Sequence, residues 1–156
     1  MFDLRQLSSD ELDQIKPLFE TVFGVPFSLE LMRWKYADGR GASWTAWDGG
    51  GGPAVHCGLM YRQVIFRGRR VRGAQLVDLM ARPKSQGLSR ERSPFAVLMH
   101  HLLDNLPCPD HPDGFAFGFP SDRAMRLGER LGVYRSVDHI LELSLLPARR
   151  RFAPRF

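Results

Sequence analysis

The pattern of apolar and polar positions is most informative in the middle of the chain. Residues 75–80 predict a mostly buried strand, interrupted by one carboxylate, Asp78. Residues 82–90 have no apolar period and many hydrogen-bond donors, which predicts a loop. Apolar side chains then recur at helical spacing over residues 95–106, after Ser93 and Pro94, which fit the N-cap and the first helical position. The centre of the chain is therefore predicted as strand, polar loop and helix.

This arrangement predicts an anion site where the loop meets the helix. Loop N–H groups and the positive end of the helix dipole would point the same way, and a phosphate-bearing ligand fits such a place. Cationic side chains add to it: Arg82, Lys84, Arg90 and Arg92.

The remaining pattern predicts further strands and helices on both sides of this centre. The predicted strands are residues 2–7, 43–47, 54–66, 71–80, 115–119 and 134–146, the last with a turn at 137–138. A first helix would begin at a capping box of Ser8 and Glu11, be kinked or split by Pro17, and end at Gly24. Other helices are predicted at residues 29–36, capped by Ser28, and after Ser121, ending at Gly132. The order β-α-α-β-β-β-α-β-α-β indicates an α+β domain, or a mixed α/β three-layer one.

The predicted strand at 115–119 divides its side chains unusually. Three phenylalanines share one face, and the other face carries only Ala116 and Gly118. A strand face without bulk predicts that a ligand or another backbone approaches closely.

Composition narrows the class of protein. The 156 residues, 44% hydrophobic and 25% charged, suit one globular domain, and no segment is apolar over the length of a membrane span. The two cysteines, Cys57 and Cys108, lack metal-ligand spacing, so we expect reduced thiols, a cytoplasmic protein and no membrane partner. The net charge of +5 is spread along the chain without aromatic-rich basic strands, which favours a solvated surface over nucleic-acid binding.

In the order and spacing of these elements, the sequence resembles the GNAT superfamily of acyl-CoA-dependent N-acetyltransferases over nearly its whole length. The resemblance rests on the strand 76–81 ending in Arg82-Pro83, the loop at Gln86-Gly87, the helix from Pro94, the strand 115–119, and residues 121–133, which resemble the family's fourth helix and its Leu-Gly-apolar end. It implies a central, mostly antiparallel sheet in which the fourth and fifth strands form a parallel, splayed pair.

The resemblance also implies residues for acetyl-CoA, the co-substrate of the family. Backbone groups at the end of the fourth strand would contact pantetheine, and loop N–H groups would bind pyrophosphate. Ser121 stands where many members carry a cofactor-contacting Asn. The implied cofactor-binding residues are Leu79, Met80, Ala81, Gln86, Gly87, Leu88, Ser89, Arg90 and Ser121.

Two departures from the family pattern favour a different hypothesis. Gln86-Gly87 is followed by Leu88-Ser89-Arg90-Glu91 instead of a further small residue, and Gly128 stands where members often carry the Tyr that protonates the departing thiolate. Tyr134 is the nearby candidate for that proton donor. The alternative to an enzyme is a catalytically inactive GNAT-fold regulatory or protein-interaction module.

Asp78 is the candidate general base, because a carboxylate in an apolar strand is poised for proton transfer. Its alternative is a structural acid paired with Arg62 or Arg72. The family resemblance implies that Trp34 and Tyr36 contact the acceptor. The alternative for Trp34 is a place in the core or in a pocket wall, and the same is expected for Trp44 and Trp47.

Other candidate chemistry is weaker. His56 and Cys57 are adjacent on a strand, so they face opposite ways and cannot act as a nucleophilic pair. His100 and His101 fit a helix surface or edge better than a metal site, and Asp110, His111 and Asp113 are a weak metal signal. No metal is expected.

The resulting hypothesis is direct transfer of an acetyl group from acetyl-CoA to the amine of a small acceptor. A GNAT-like domain would span residues 1–147, and residues 148–156 would form a basic tail or linker. A homodimer and a further C-terminal domain are left open.

Overall fold

The computed structural model describes residues 2–82, 93–106 and 115–138. These form five strands and four α-helices, which we number in chain order. The strands are β1 Asp3–Leu7, β2 Gly41–Trp47, β3 Pro53–Phe66, β4 Arg69–Ala81 and β5 Phe115–Gly118. The helices are α1 Lys16–Phe23, α2 Leu29–Tyr36, α3 Pro94–Asn105 and α4 Asp122–Arg130.

The five strands form one sheet in the order β1-β2-β3-β4-β5. Every neighbouring pair is antiparallel except β4 and β5, which are parallel. The parallel pairing runs from Gly73↔Phe115 to Leu76↔Gly118, while β4 continues to Ala81. The predicted α+β architecture with a parallel β4/β5 pair is therefore confirmed, and the end of β4 extends beyond its pairing with β5.

The tight turn between β3 and β4 follows from two residues. Arg67 and Gly68 both have positive φ, +50° and +75°, as a two-residue hairpin turn of the primed type requires. This turn fixes the long antiparallel register of β3 and β4.

The sheet has a hydrophobic core on each face. On one face, α3 packs Phe95, Leu98, Met99 and Leu102 against small and aliphatic side chains of β2, β3 and β4; we call this the α3-side core. On the other face, Leu12, Ile15, Phe19, Met32 and Tyr36 pack with Met60 and Met80; we call this the α2-side core. The result is the three-layer arrangement that the element order predicts.

Three helix starts follow the predicted signals, but the predicted start of the first helix at Ser8 is wrong, because neither Leu12–Ile15 nor α1 has a side-chain hydrogen bond at its N-cap. Ser28, Ser93 and Ser121 each accept a hydrogen bond from the backbone N–H three residues later, as N-caps do. Glu11 accepts bonds from the backbone N–H and hydroxyl of Ser8, 2.9 and 2.7 Å. The segment after it is a short 3-10 helix, Leu12–Ile15, and α1 follows with Pro17 in its first turn. Pro17 therefore splits this region, as predicted.

One predicted strand differs from the structure. Residues 134–138, expected to begin a last strand, have no regular secondary structure. The rest of that strand, and the proposed boundary at 147, lie outside the described residues. In the part of the chain that is described, no helix combines the length and apolar character needed to cross a membrane.

Candidate functional site

The most unusual backbone feature is a bulge in the middle of β4. The register of β3 and β4 shifts between His56 and Gly58, so that Asp78 and Leu79 lie opposite the single residue Cys57. Asp78 has φ +47°, in the left-handed region that Asp and Asn enter more readily than most residues. The bulge is therefore built around the carboxylate that the sequence analysis singled out.

The bulge decides which face of the sheet carries Asp78. Val77 packs with the α2-side core, and Asp78, the next residue, also reaches toward α2 instead of alternating to the opposite face. Alternation resumes afterwards, because Leu79 packs with the α3-side core and Met80 with the α2-side core. A regular strand would have turned Asp78 away from α2.

Asp78 is held by the last two residues of α2. The Lys35 ammonium donates to both carboxylate oxygens at 2.8 and 2.7 Å, and the Tyr36 hydroxyl donates to Oδ2 at 2.5 Å. The side chains of Lys35 and Asp78 are only 16% and 14% exposed. The predicted arginine partners are wrong, because Arg62 donates to Gln75 and Arg72 to the Gly39 carbonyl; the cation paired with Asp78 is Lys35.

The Tyr36 ring reaches Asp78 by lying directly on β3. A Cβ built on Gly58 would lie 2.0 Å from the Tyr36 hydroxyl oxygen, so only glycine leaves room for the ring. Burial, and then the charge and hydrogen bond of Asp78, raise the pKa of Tyr36 far above its ordinary value. The phenol therefore stays protonated and acts as a fixed donor to the carboxylate.

Beneath this cluster lies a buried polar chain. His56 and Ser43 are both 0% exposed; one His56 nitrogen, Nδ1, is 2.9 Å from the Asp78 carbonyl oxygen, and the other, Nε2, is 2.9 Å from Ser43 Oγ. Burial lowers the pKa of His56 to about 4, against the opposing effect of its bond to the Asp78 carbonyl and of the Asp78 charge. His56 is therefore a neutral imidazole at physiological pH.

The depressed pKa of His56 makes stability depend on pH. The unfolded chain takes up a proton at His56 below about pH 6.5, whereas the folded protein does so only near pH 4. Stability is therefore full above pH 6.5, and the free energy of unfolding should fall by about 3 kcal/mol as the pH drops from 6.5 to 4. Urea unfolding across this range measures the effect. His56→Asn should flatten this slope and His100→Asn should not; equal slopes in all three proteins would contradict the assignment.

His56 and Cys57 face opposite ways, as predicted. Cys57 belongs to the α3-side core and is fully buried, and burial raises the pKa of its thiol to about 12. The thiol is therefore protonated and shielded, which excludes it as a nucleophile.

The predicted pantetheine contacts lie where β4 runs past β5. Leu79, Met80 and Ala81 follow the last parallel pair, Leu76↔Gly118. Met80 is buried in the core, so only its backbone could serve a ligand. A strand end without a β5 partner among the described residues suits an extended ligand that pairs with backbone groups. The roles of these three residues stay predictions.

The rest of the predicted cofactor site is only partly visible. Gln86, Gly87, Leu88, Ser89 and Arg90, with Lys84 and Arg92, lie outside the described residues. Ser121 is described, and its hydroxyl accepts from the Ala124 N–H at 3.5 Å as the N-cap of α4. Its contact with a cofactor stays a prediction.

Arg82 serves a structural purpose instead of the predicted anion site. Its guanidinium donates to Asp48 Oδ2 at 2.6 Å and to the Pro53 carbonyl at 2.9 Å. Asp48 in turn accepts from the N–H groups of Gly50 and Gly52, and these bonds hold the pKa of its carboxyl below the ordinary value. Arg82 therefore ties the end of β4 to the glycine-rich turn after β2.

Tyr134 occupies the space above Gly128. A Cβ on Gly128 would lie 2.1 Å from Cδ2 of the Tyr134 ring, and the backbone N–H of Tyr134 donates to the Gly128 carbonyl at 3.2 Å. Burial raises the pKa of Tyr134 to about 12, so the phenol keeps its proton at neutral pH. A tyrosine ring thus lies against Gly128, the position at which the family pattern predicts a tyrosine.

The face of β5 that carries only Ala116 and Gly118 packs beside Leu76 of β4. A Cβ on Gly118 would contact Leu76 at 3.4–3.9 Å, which is ordinary packing, so the described residues do not require glycine there. On the opposite face, the rings of Phe115 and Phe117 lie 3.3 Å from a Cβ built on Gly73.

The three tryptophans are distributed differently from one another. Trp47 is buried in the α2-side core, and Trp44 packs at the edge of the α3-side core, where it lines a cavity of about 240 Å³ near Tyr61 and Arg72. Trp34 is 55% exposed, so the core interpretation is wrong for this residue, and its predicted contact with substrate stays a prediction.

Among the described residues, no group of three His, Cys, Asp or Glu side chains is placed to hold a metal ion. His101 lies against the Trp44 ring, and His100 is exposed. Asp110, His111 and Asp113 lie outside the described part of the chain.

Sequence reasoning missed Lys35, Gly58 and the role of His56. Lys35 forms an ion pair with Asp78, which lies 43 residues later in the sequence, and no local pattern predicts such a pairing. Gly58 did carry a signal, because an isolated glycine inside a strand indicates a close approach. That approach is the Tyr36 ring.

Comparison with known proteins shows a relationship in structure. No family model and no curated protein matches the sequence. An acetyltransferase from Trypanosoma brucei superposes with a TM-score of 0.67 and 17% identity, over 93% of this chain and 100% of that one. A predicted acetyltransferase from Clostridium acetobutylicum, solved with acetyl-CoA, gives 0.70 and 12%, over 92% and 96%.

A third similar structure is the aminoglycoside antibiotic 6'-N-acetyltransferase AAC(6')-Ih from Acinetobacter baumannii. It superposes with a TM-score of 0.64 and 12% identity, over 94% of this chain and 99% of that one. These likenesses extend over nearly all of each chain and agree with the element order, the parallel β4/β5 pair and the three layers. The chain has the fold of the GNAT acetyltransferases.

Proposed function

We propose that the protein is an N-acyltransferase that moves an acetyl group from acetyl-CoA to the amine of a small acceptor. The observation that carries this proposal is the bulge of β4. It places a nearly buried carboxylate, Asp78, just beyond the last residue pair of β4 and β5. A base and a strand edge that can bind an extended ligand are thus adjacent.

Asp78 would act on the acceptor amine. A carboxylate offers about four lone-pair sites, and Lys35 and Tyr36 use three, two of them on Oδ2. Oδ1 therefore retains one site for the acceptor N–H, and it would receive the proton as the amine attacks. The fixed donors hold the carboxylate in one orientation, and this lowers the entropic cost of reaching a reactive geometry.

Acetyl-CoA supplies an acyl group activated as a thioester. Backbone groups of Leu79, Met80 and Ala81 would orient it along the free edge of β4, with the loop residues 86–90 and Ser121 as the further proposed contacts. In the transfer, an N–C bond forms, the C–S bond breaks, and the sulfur requires a proton. The protonated Tyr134 phenol is the proposed donor.

The class of acceptor is suggested by one similar structure, which by its name is an aminoglycoside N-acetyltransferase. We therefore propose amines of small polar molecules as the first class to examine. The alternative, a GNAT-fold module without catalytic activity, is suggested by the departures at Glu91 and Gly128.

A transfer assay separates these two functions. The purified protein is incubated with acetyl-CoA and a panel comprising an aminoglycoside, a polyamine, an amino-acid amide and a lysine peptide; free thiol and acetylated product are both measured. We expect thiol release matched by acetylated product for at least one small amine. Neither free thiol nor acetylated product with any amine of the panel, together with no binding of acetyl-CoA in calorimetry, would instead indicate the inactive module.

A further inference from the structure

One buried titratable side chain has no part in the chemistry proposed above. His56 is fully buried in the middle of β3, and it links three neighbouring strands through its two ring nitrogens. Ser43 belongs to β2, His56 to β3, and the Asp78 carbonyl to the bulge of β4. This chain of groups runs directly under the carboxylate cluster.

The direction of the hydrogen bonds follows from the groups themselves. A carbonyl oxygen can only accept, so Nδ1 of His56 carries the proton and donates to the Asp78 carbonyl. In the neutral ring Nε2 is then an acceptor, and the Ser43 hydroxyl donates to it. Both ring nitrogens are thereby satisfied inside the sheet.

We propose that His56 is a positioning residue that locks the bulge of β4 and so holds the Asp78 carboxylate beside α2. The left-handed conformation of Asp78 is unfavourable for a residue with a side chain, and its partly buried carbonyl needs a donor. The His56 N–H meets the second need only while the bulge persists. Without the His56 N–H, the bulge would be replaced by regular pairing of β3 and β4. The Asp78 side chain would then lie on the opposite face of the sheet, away from Lys35 and Tyr36.

Substitutions at His56 can separate this role from general packing. His56→Asn keeps an N–H donor near the position of Nδ1, whereas His56→Gln places its amide nearer to Nε2, and His56→Leu has no donor. His100→Leu, on the exposed part of α3, is the matched control. If His56 positions Asp78, the order of retained function is Asn, then Gln, then Leu.

Two readouts are measured for each variant. The first is proton NMR of the Tyr36 hydroxyl, which should give a low-field signal because it donates to an ionised carboxylate, Asp78. This signal should persist in His56→Asn and disappear in His56→Leu. The second, which rests on the proposed function, is the rate of transfer: His56→Leu should lower kcat about a hundredfold with little change in the KM for acetyl-CoA, since small displacements of a reacting group cost about that much.

The NMR readout needs no enzymatic activity, so it tests the positioning role even if no acceptor is found. A low-field signal that survives in both His56→Leu and His56→Gln would overturn the proposal. So would equal kcat values in the Asn and Gln variants, because both fill similar space. If His56→Leu does not fold, the comparison of Asn with Gln decides alone.

Discussion

Asp78→Asn should abolish most acetyl transfer while leaving acetyl-CoA binding intact. Loss of a positioned general base lowers rates by about 10²–10⁴-fold, and Asn cannot accept the proton. Asn is the right replacement because it tolerates the left-handed backbone at this position and can still accept the Tyr36 hydrogen bond. Steady-state kinetics with whichever amine of the panel is acetylated, together with calorimetry for acetyl-CoA, measure the two effects.

The matched control for this variant is Asp104→Asn, on an exposed position of α3. It removes the same charge from the surface and should leave kcat unchanged. If Asp78→Asn were as active as Asp104→Asn, Asp78 would have a structural role only. The ion pair of Asp78 with Lys35 is compatible with such a role. Thermal unfolding of each protein separates lost chemistry from lost folding.

Gly58→Ala should disrupt both stability and activity, although it adds a single methyl group. The new Cβ would lie within 2.0–2.7 Å of three atoms of the Tyr36 side chain, so the ring must move and its hydrogen bond to Asp78 must break. Overpacking of this kind costs about 1–3 kcal/mol of folding free energy. Urea unfolding should register this loss, and transfer activity should fall with it because Asp78 loses a fixed donor.

Gly49→Ala provides the comparison, because a Cβ there meets no described atom within 4 Å. A substitution at such a surface position should change stability by less than about 0.5 kcal/mol. If Gly58→Ala were equally harmless, the Tyr36 ring would not be seated on β3 as the structure indicates, and the account of the carboxylate cluster would need revision.

The elements of this fold could be predicted because their signals are local. Ser28, Ser93 and Ser121 announce helix starts, and Pro17 marks the split before α1. The two predicted strands 54–66 and 71–80 leave only a short gap between them, and in the structure this gap contains the Arg67-Gly68 turn. Each signal operates within a few residues, so the sequence alone was enough.

The site was only partly predictable because its contacts are long-range. Asp78 was recognisable as a carboxylate in an apolar strand. The bulge that turns its side chain to the other face of the sheet was not recognisable, because the bulged residue in the left-handed conformation is not a glycine. The expectation of an arginine partner assumed regular alternation within the sheet. The actual partners, Lys35 and Tyr36, come from a helix that packs across the bulge.

The local sequence pattern also led to a wrong role for Arg82. Arg82 was counted with the anion site because it precedes the polar loop, yet it pairs with Asp48, 34 residues earlier in the chain. Gly128, in contrast, stands at the position where the family pattern predicts a tyrosine, and the structure places the Tyr134 ring against it. The contact of Arg82 with Asp48 joins segments that are distant in sequence, whereas the contact of Tyr134 with Gly128 is local, at the end of α4.

Titration calorimetry of the purified protein with acetyl-CoA tests the central claim most directly, since every step proposed for Asp78 and Tyr134 requires the thioester to bind beside the free end of β4. We expect saturable binding to one site, with a dissociation constant between about 1 μM and 1 mM, the usual range for enzyme substrates. Absence of any binding heat at millimolar acetyl-CoA would contradict it and leave a GNAT fold without the transferase function.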